Sequence, residues 1–339
     1  MLKKTTFAKS WLPALRPVAQ PVVTVWWGLY LATAVLLFAT CAGFGGRLGW
    51  LPDLASHWRW QYAWGGAVLA LLFLLGRRGK GVLLASLVLL VNGAQIWPLY
   101  TAVATPPAAQ TLRAVSINVL QVNTQMDKVL AFLETADPDI IVLSEVTDAW
   151  EPALQELAAA YPYQERAFIK GYAATVLYSR YPFTDTDIIL DVERPAVAAH
   201  LDIDGQPLTV IGAHPNSPVA PYKAALRNRQ LDRLAAYVTA QTTPVLLLGD
   251  LNITPWSPHL TDFLAQTELR NGRIGFGVQA TWPAAFGPLG IPIDHALVSA
   301  DILVHHFATG PGVGSDHVPI IVDFSLRLSS TACCATVSS

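Results

Sequence analysis

Apolar runs in the C-terminal two thirds of the chain repeatedly end in acids, amides and histidines. The run at 112–118 ends in Asn118, 139–144 is followed by Glu145, 208–213 by His214, and 244–249 by Asp250-Leu251-Asn252. Two more lead in from the other side: Gly290-Ile291-Pro292-Ile293 into Asp294-His295, and Gly314-Ser315 into Asp316-His317. A single such ending is ordinary turn chemistry. All six together have the composition of one hydrolytic centre, with carboxylates and amides for a hard divalent cation and imidazoles to move protons near neutral pH. Three cysteines exclude a disulfide framework or a Cys-rich zinc module. Oxygen ligands suit Mg2+ or Mn2+.

The elements that must position these residues alternate between strand and helix. Strands are expected at 112–118, 139–144, 173–178, 196–203, 208–213, 244–248, 295–298 and 318–324, and helices at 123–136, 147–160 and 221–240. Asp204-Gly205 between two strands is a two-residue hairpin signal. Strands outnumber helices and hairpins mix with crossovers, which predicts packed mixed sheets with helices outside. Lys223 and Arg227, at i and i+4 on one helix, form either a phosphate-facing stripe or a wet face. In an alternating strand His295 should point away from Asp294, and His305 from His306.

The motifs Ser116-Ile117-Asn118, Leu143-Ser144-Glu145, Ala213-His214-Pro215, Gly249-Asp250-Leu251-Asn252, Ile293-Asp294-His295 and Ser315-Asp316-His317 resemble, in order and rough spacing, the endonuclease/exonuclease/phosphatase superfamily. The resemblance spans 112–327. It implies a DNase I-like α/β fold, a four-layer sandwich of two packed mixed sheets flanked by helices, and metal-dependent phosphoester hydrolysis with Mg2+ or Mn2+. It implies Glu145 as metal ligand with Asn118 and Asp316, and His317 as general base or acid oriented by Asp294. Asp250 would hold the attacking water, Asn252 and Asn118 would contact phosphate, and His214 would donate to developing negative charge. Arg180 and Arg194 could face phosphate or solvent. Leu120 stands where some members carry a further acid, so a ligand is missing there.

The first third is different in kind. The whole chain is 53% hydrophobic and 14% charged over 339 residues, against roughly 25% charged in soluble proteins. Residues 1–110 hold nine Lys/Arg and only Asp53 as an acid, which leaves 13 basic against 23 acidic residues, a net −10, for 111–339. Apolar runs at about 22–44, 58–76 and 81–100 read as three transmembrane helices, the second being short. Basic residues in the N-terminal arm and at Arg77-Arg78-Gly79-Lys80 put those ends in the cytoplasm and export everything after Tyr100. The expected organisation is therefore a membrane anchor at 1–100, a linker at 101–111, a catalytic domain at 112–327 on the periplasmic side of a bacterial inner membrane, and a tail at 328–339. Asn92 would bond a neighbouring helix, and Cys333-Cys334 receives no function. With the spans, the chain resembles a membrane-anchored bacterial branch of the superfamily.

The negative balance argues against tight binding of long nucleic acid. Proximity to the bilayer favours a lipid headgroup or small phosphodiester as substrate. Nuclease action on DNA or RNA is the alternative, and a non-catalytic membrane-tethered binding module retaining the fold is an alternative of another class.

Overall fold

The computed structural model describes residues 20–101, 110–170, 173–189 and 193–327. The basic N-terminal arm, most of the expected linker and the tail with Cys333-Cys334 lie outside these residues.

Helices come first. Helix α1 (Gln20–Ala42) runs into a 3-10 turn (Gly43–Leu48), followed by α2 (Trp50–Ser56), α3 (Arg59–Leu75), α4 (Gly79–Ile96) and a second 3-10 turn (Trp97–Tyr100). Two segments, Thr24–Leu48 and Gly79–Tyr100, are long and apolar enough to cross a membrane. The second of the three expected spans forms the 17-residue helix α3, about 26 Å long at 1.5 Å per residue and shorter than a bilayer core of about 30 Å. Trp27, Leu31 and Phe38 on α1, Leu75 on α3 and Leu83 and Leu90 on α4 are all exposed. Inside the bundle Asn92 donates to Thr40 Oγ1 (2.9 Å), and Arg59 donates to the Thr40 carbonyl (2.9 Å). Asn92 therefore ties α4 to α1 as expected.

The rest is a sandwich. Its elements are β1 (Leu112–Asn118), α5 (Met126–Ala136), β2 (Ile140–Val146), α6 (Glu151–Ala160), β3 (Tyr163–Ala167), β4 (Ala174–Ser179), β5 (Phe183–Ile189), β6 (Ala196–Ile203), β7 (Gln206–Gly212), α7 (Pro221–Thr239), β8 (Val245–Asp250), α8 (Pro258–Thr267), β9 (Arg270–Asn271), β10 (Asp294–Val298), β11 (Ile302–Thr309) and β12 (Ile320–Leu326). The strands form two six-stranded sheets, ordered β11-β12-β1-β2-β4-β3 and β5-β6-β7-β8-β10-β9. Each is mixed, with one parallel pair at its centre, β1 with β2 and β7 with β8.

Strand alternation sorts side chains into layers. Ala114, Val142, Leu177, Val210, Leu246 and Val322 fill the space between the sheets. Val115, Ile117, Ile141 and Leu143 face outward onto Phe132, Leu133, Leu154 and Leu157 of α5 and α6. On the other side Ile211 and Leu247 meet Leu231, Leu234, Leu260 and Phe263 of α7 and α8. The result is four layers, helix–sheet–sheet–helix, as expected.

The topology brings six strand ends together. β1 and β2 run the same way, so Asn118 and Glu145 finish at one end of their sheet. β12 runs antiparallel to β1 with Ile320 beside Ser116, so the segment leading into it starts at that end. In the other sheet β7 and β8 are parallel, and β10 is antiparallel to β8 with Asp294 opposite Asp250.

Candidate active site

One cavity of about 370 Å3 lies across these strand ends, lined by Asn118, Glu145, His214, Asp250, Asn252, Asp316 and His317. Local backbone chemistry aims several of these. Glu145 sits at φ +62 where the β2–β4 register slips between Leu143 and Val146, and Asn252 and Leu120 also have positive φ. Such non-glycine residues cost on the order of 1 kcal/mol each and cluster at functional sites. Gly249 is needed for a different reason. It has φ +141, and a Cβ there would lie 1.9 Å from the Ala213 carbonyl oxygen, so only glycine lets β7 and β8 close up before Asp250.

The side chains form one buried network. His317 Nδ1 and Asp294 Oδ2 are 2.8 Å apart, and His317 Nε2 lies 3.6 Å from Asp250 Oδ2. Burial works against the His317 cation, but the carboxylates of Asp294 and Asp250 raise its pKa to about 10. Burial would likewise raise Asp250. The neighbouring His317 and His214 and the Asn252 amide outweigh that and hold it well below the ordinary carboxylate range. Asn118 Nδ2 donates to Asp250 Oδ2 (3.0 Å) and faces Glu145 Oε1 at 3.4 Å. Asn252 donates its backbone N–H to Asp250 Oδ1 (2.9 Å) and its side-chain amide to the Pro215 carbonyl (3.1 Å).

Arg194 also reaches this cavity. Its Nη1 lies 2.6 Å from His214 Nδ1. The same Nη1 is 3.2 Å from Nε2; a guanidinium only donates, so the shorter contact makes Nδ1 the acceptor and favours the ring proton on Nε2. That Nε2 is 3.4 Å from Asp250 Oδ2 and 3.6 Å from Glu145 Oε1. Asp294 is held from behind. Thr281 Oγ1 accepts its N–H (3.2 Å), and the buried Arg273 donates to its carbonyl (2.6 Å).

Two expected residues lie outside this hydrogen-bonded network. Asp316 is exposed at the rim, with Oδ2 accepting from the Trp282 indole (2.9 Å). Arg180 does not reach the site. It pairs with Asp137, lies over the Tyr161 ring and lines another cavity, beside α5 and α6. The reason is strand direction: β4 is antiparallel to β2, so Ser179 and Arg180 emerge opposite Ile140, at the far end from Glu145. Arg227 is neither a stripe nor wet. It is fully buried and ion-paired to Asp53, while Lys223 pairs with Glu193. His295 bonds the Ile253 carbonyl (2.8 Å), outside the cavity as expected, and Asn216 is held in its turn by Gln230. Sequence reasoning missed Trp50, Leu54, His57 and Trp58, which line the same cavity from the N-terminal helices. In the sequence Trp50, Leu54 and His57 lie between the first two apolar runs and Trp58 opens the second, with no strand-end pattern to mark them.

The arrangement can hold a divalent cation. Asp250, Asp294 and His317 each present a ligand-type atom within 4.8 Å of the others. Glu145 Oε1 has only the long approaches of Asn118 and His214, and Asp294 Oδ1 is buried with no hydrogen-bond partner. A concentration of carboxylate oxygens with bonding capacity left over fits a hard cation.

Comparisons with known proteins agree with this fold. The endonuclease/exonuclease/phosphatase from Beutenbergia cavernae DSM 12333 superposes with a TM-score of 0.54 at 19% identity, covering 64% of this chain and 72% of that one. A second, from Bacteroides vulgatus, gives 0.53 at 17% identity over 64% and 100% of the two chains. D. rerio TDP2, solved with a single-strand DNA product, gives 0.53 at 19% identity over 64% and 99%. Likeness at these identities shows a shared fold. No curated protein sequence matches the chain. The model of the Endonuclease/Exonuclease/phosphatase family matches residues 115–317, a segment that contains all six strand-end motifs, and the chain belongs to that family.

Proposed function

We propose that the chain is a membrane-anchored, metal-dependent phosphoesterase that cleaves phosphodiester or phosphomonoester bonds by attack of water. The observation that carries this reading is the meeting of Asn118, Glu145, His214, Asp250, Asn252, Asp294 and His317, from six elements of two sheets, in one buried polar network.

Glu145, with Asn118 and Asp316, would hold Mg2+ or Mn2+. The ion would neutralise charge on the phosphoryl oxygens and, by compensating nearby carboxylates, return His317 toward a base. Asp294 keeps the His317 ring oriented through Nδ1, leaving Nε2 to exchange the proton. Asp250 orients the attacking water, and Asn252 and Asn118 contact the phosphate. His214 Nε2–H donates to the charge that develops on the phosphoryl group, and Arg194 behind Nδ1 keeps that tautomer. Arg180 has no part in the site.

The proposed topology keeps three spans, α1, α3 and α4, with α3 as the short one. The exposed apolar faces of these helices support it. So does the sidedness of the contacts. Among the described residues the sandwich meets α2 and the ends of α3 and α4 next to it: Trp50 donates to the Pro218 carbonyl, Trp60 to the Pro288 carbonyl, and the Gly275 and Gly277 amides to the Leu99 carbonyl. The sandwich would then stand on the periplasmic face. An alkaline phosphatase fusion after Tyr100 should be active, and an inactive one would reverse the orientation.

The test of activity uses the full chain in nonionic detergent with bis-p-nitrophenyl phosphate and Mg2+ or Mn2+. Release of p-nitrophenol that chelation abolishes is expected. An inert protein under both metals would remove the hydrolase reading and leave the binding-module alternative.

A further inference from the structure

The sandwich does not supply every wall of its own cleft. Helix α2 and the two residues after Ser56 contribute Trp50, Leu54, His57 and Trp58 to the cavity that holds the strand-end network. This wall is anchored. Trp50 Nε1 donates to the Pro218 carbonyl (2.6 Å), and Asp53 Oδ2 accepts from Arg227 (2.6 Å) while Oδ1 accepts from Ser257 (2.6 Å). Arg227 also donates to the carbonyl of Asn252 (3.1 Å), so α2 and the phosphate-facing turn share one support.

The chemistry of the wall differs from that of the floor. Leu54 and Trp58 are apolar, and Ile291, Ile293 and Val219 continue the apolar lining. One group breaks the pattern. His57 is 4% exposed, its Nδ1 is bonded to Thr254 Oγ1 (3.0 Å), and its Nε2 is buried without a partner. A buried polar atom left unmade is costly unless a ligand completes it. The cavity thus pairs a phosphoryl-binding floor with an apolar wall carrying one hydrogen-bonding group. Among the described residues Arg194 is the one Lys or Arg lining it, which is poor for a polyanionic strand. The wall also joins α1 to α3, at the end of helices whose faces are exposed and apolar.

We propose that α2 and His57 form a second subsite that takes the hydrocarbon chain of an amphiphilic phosphoester, a lipid-like substrate. The phosphoryl group lies among the strand-end residues, the chain runs along Leu54 and Trp58, and His57 Nε2 bonds an oxygen between the two. This rests on the phosphoesterase reading above and gives its substrate class.

The test is a series of p-nitrophenyl alkyl phosphates with methyl, butyl and hexyl chains. Water adds to phosphorus, the bond to the nitrophenyl oxygen breaks, and p-nitrophenol and the monoalkyl phosphate are released. With the full chain in nonionic detergent, kcat/KM should rise at least about tenfold from methyl to hexyl, mainly through KM. Leu54→Asn and Trp58→Ala should each compress that ratio to under about threefold, and His57→Phe should raise KM for the hexyl ester. A wild-type protein that hydrolyses all three esters equally, or prefers a single-stranded oligonucleotide to the hexyl ester, would overturn the subsite and leave the phosphoesterase reading standing. A protein inert toward every substrate would sink the phosphoesterase reading and the subsite with it.

Discussion

Two clusters of buried charge lie close together in this chain and follow opposite rules. At the junction of α2 with the sandwich, Asp53 and Arg227 meet at 2.6 Å, and Ser257 takes the second carboxylate oxygen, also at 2.6 Å. Arg227 has further acceptors in Asn228 and the Asn252 carbonyl. At the strand ends several charged groups are left loose. His214 and His317 approach Asp250 only to 3.4 and 3.6 Å, Glu145 stands 3.6 Å from His214, and Asp294 Oδ1 has no partner. Both clusters are buried, so burial alone does not separate structure from function. Saturation does. A buried pair whose hydrogen bonds are all made holds two elements together. A buried set with unused capacity is organised for something that binds.

The largest expected effect tests the unsaturated side. Glu145→Gln nearly preserves shape and removes a carboxylate whose Oε2 accepts the Gln121 N–H (3.2 Å) but whose Oε1 has only long approaches. It should lower kcat/KM for bis-p-nitrophenyl phosphate by about 10^3, and its thermal midpoint should stay within about 2 °C of the wild type. His317→Ala should lose at least as much activity. Full activity in either variant would remove these residues from the chemistry and dissolve the contrast.

The next effect tests the saturated side. Arg227→Met strands Asp53 in the interface and should destabilise the protein by about 3–5 kcal/mol, read by unfolding in detergent. Adding Asp53→Leu should recover most of that, because no buried charge then remains unpaired. A neutral single variant would mean that the pair does not hold the junction.

A smaller effect is pH-dependent. Burial lowers His57 from 6.5 to about 4, with the charge of Asp53 opposing and that of Arg227 assisting. Below pH 6.5 the unfolded chain takes up a proton that the folded chain refuses, so stability falls as pH drops from 6.5 toward 4, by on the order of 2–3 kcal/mol. Asp53 acts in the same direction. Its burial is outweighed by Arg227, His57 and Ser257, so its pKa is lowered and its contribution is lost as pH falls through the acid range. Unfolding midpoints for wild type and His57→Gln between pH 4 and 7 should converge toward the acid end. Parallel curves would show that His57 is not the titrating group. The smallest effect marks the limit of the rule. Arg47 and Asp262 pair across the same junction but are 60% and 53% exposed, and Arg47→Ala should leave the unfolding midpoint unchanged within error.

How much could be read in advance depended on how local the cause was. β1 and β6 have the expected bounds because their apolar runs end sharply. Asp204-Gly205 joins β6 to β7 as the turn chemistry requires. The missed strands, β3 (YQERA), β5 (FTDTDII), β9 (RN) and β11 (ILVHHFAT), are the four sheet edges, where few positions need be apolar. Arg180 looked like another strand-end residue until the antiparallel pairing of β4 sent it to the opposite end. Asp53 and His57 gave no local signal, since the partners that bury them, Arg227 and Thr254, lie 174 and 197 positions away.

The sequence by itself determined the strand cores, the residue types gathered at their ends and the apolar character of the first third. These follow from hydrophobic periodicity and side-chain chemistry, which act over a few residues. Only the tertiary structure decided which strand ends share a cleft, which arginine is a support and which stands beside a histidine, and that a short helix from the apolar third forms one wall. Those outcomes depend on strand direction and on contacts between distant segments, which appear only when the sheets and helices pack.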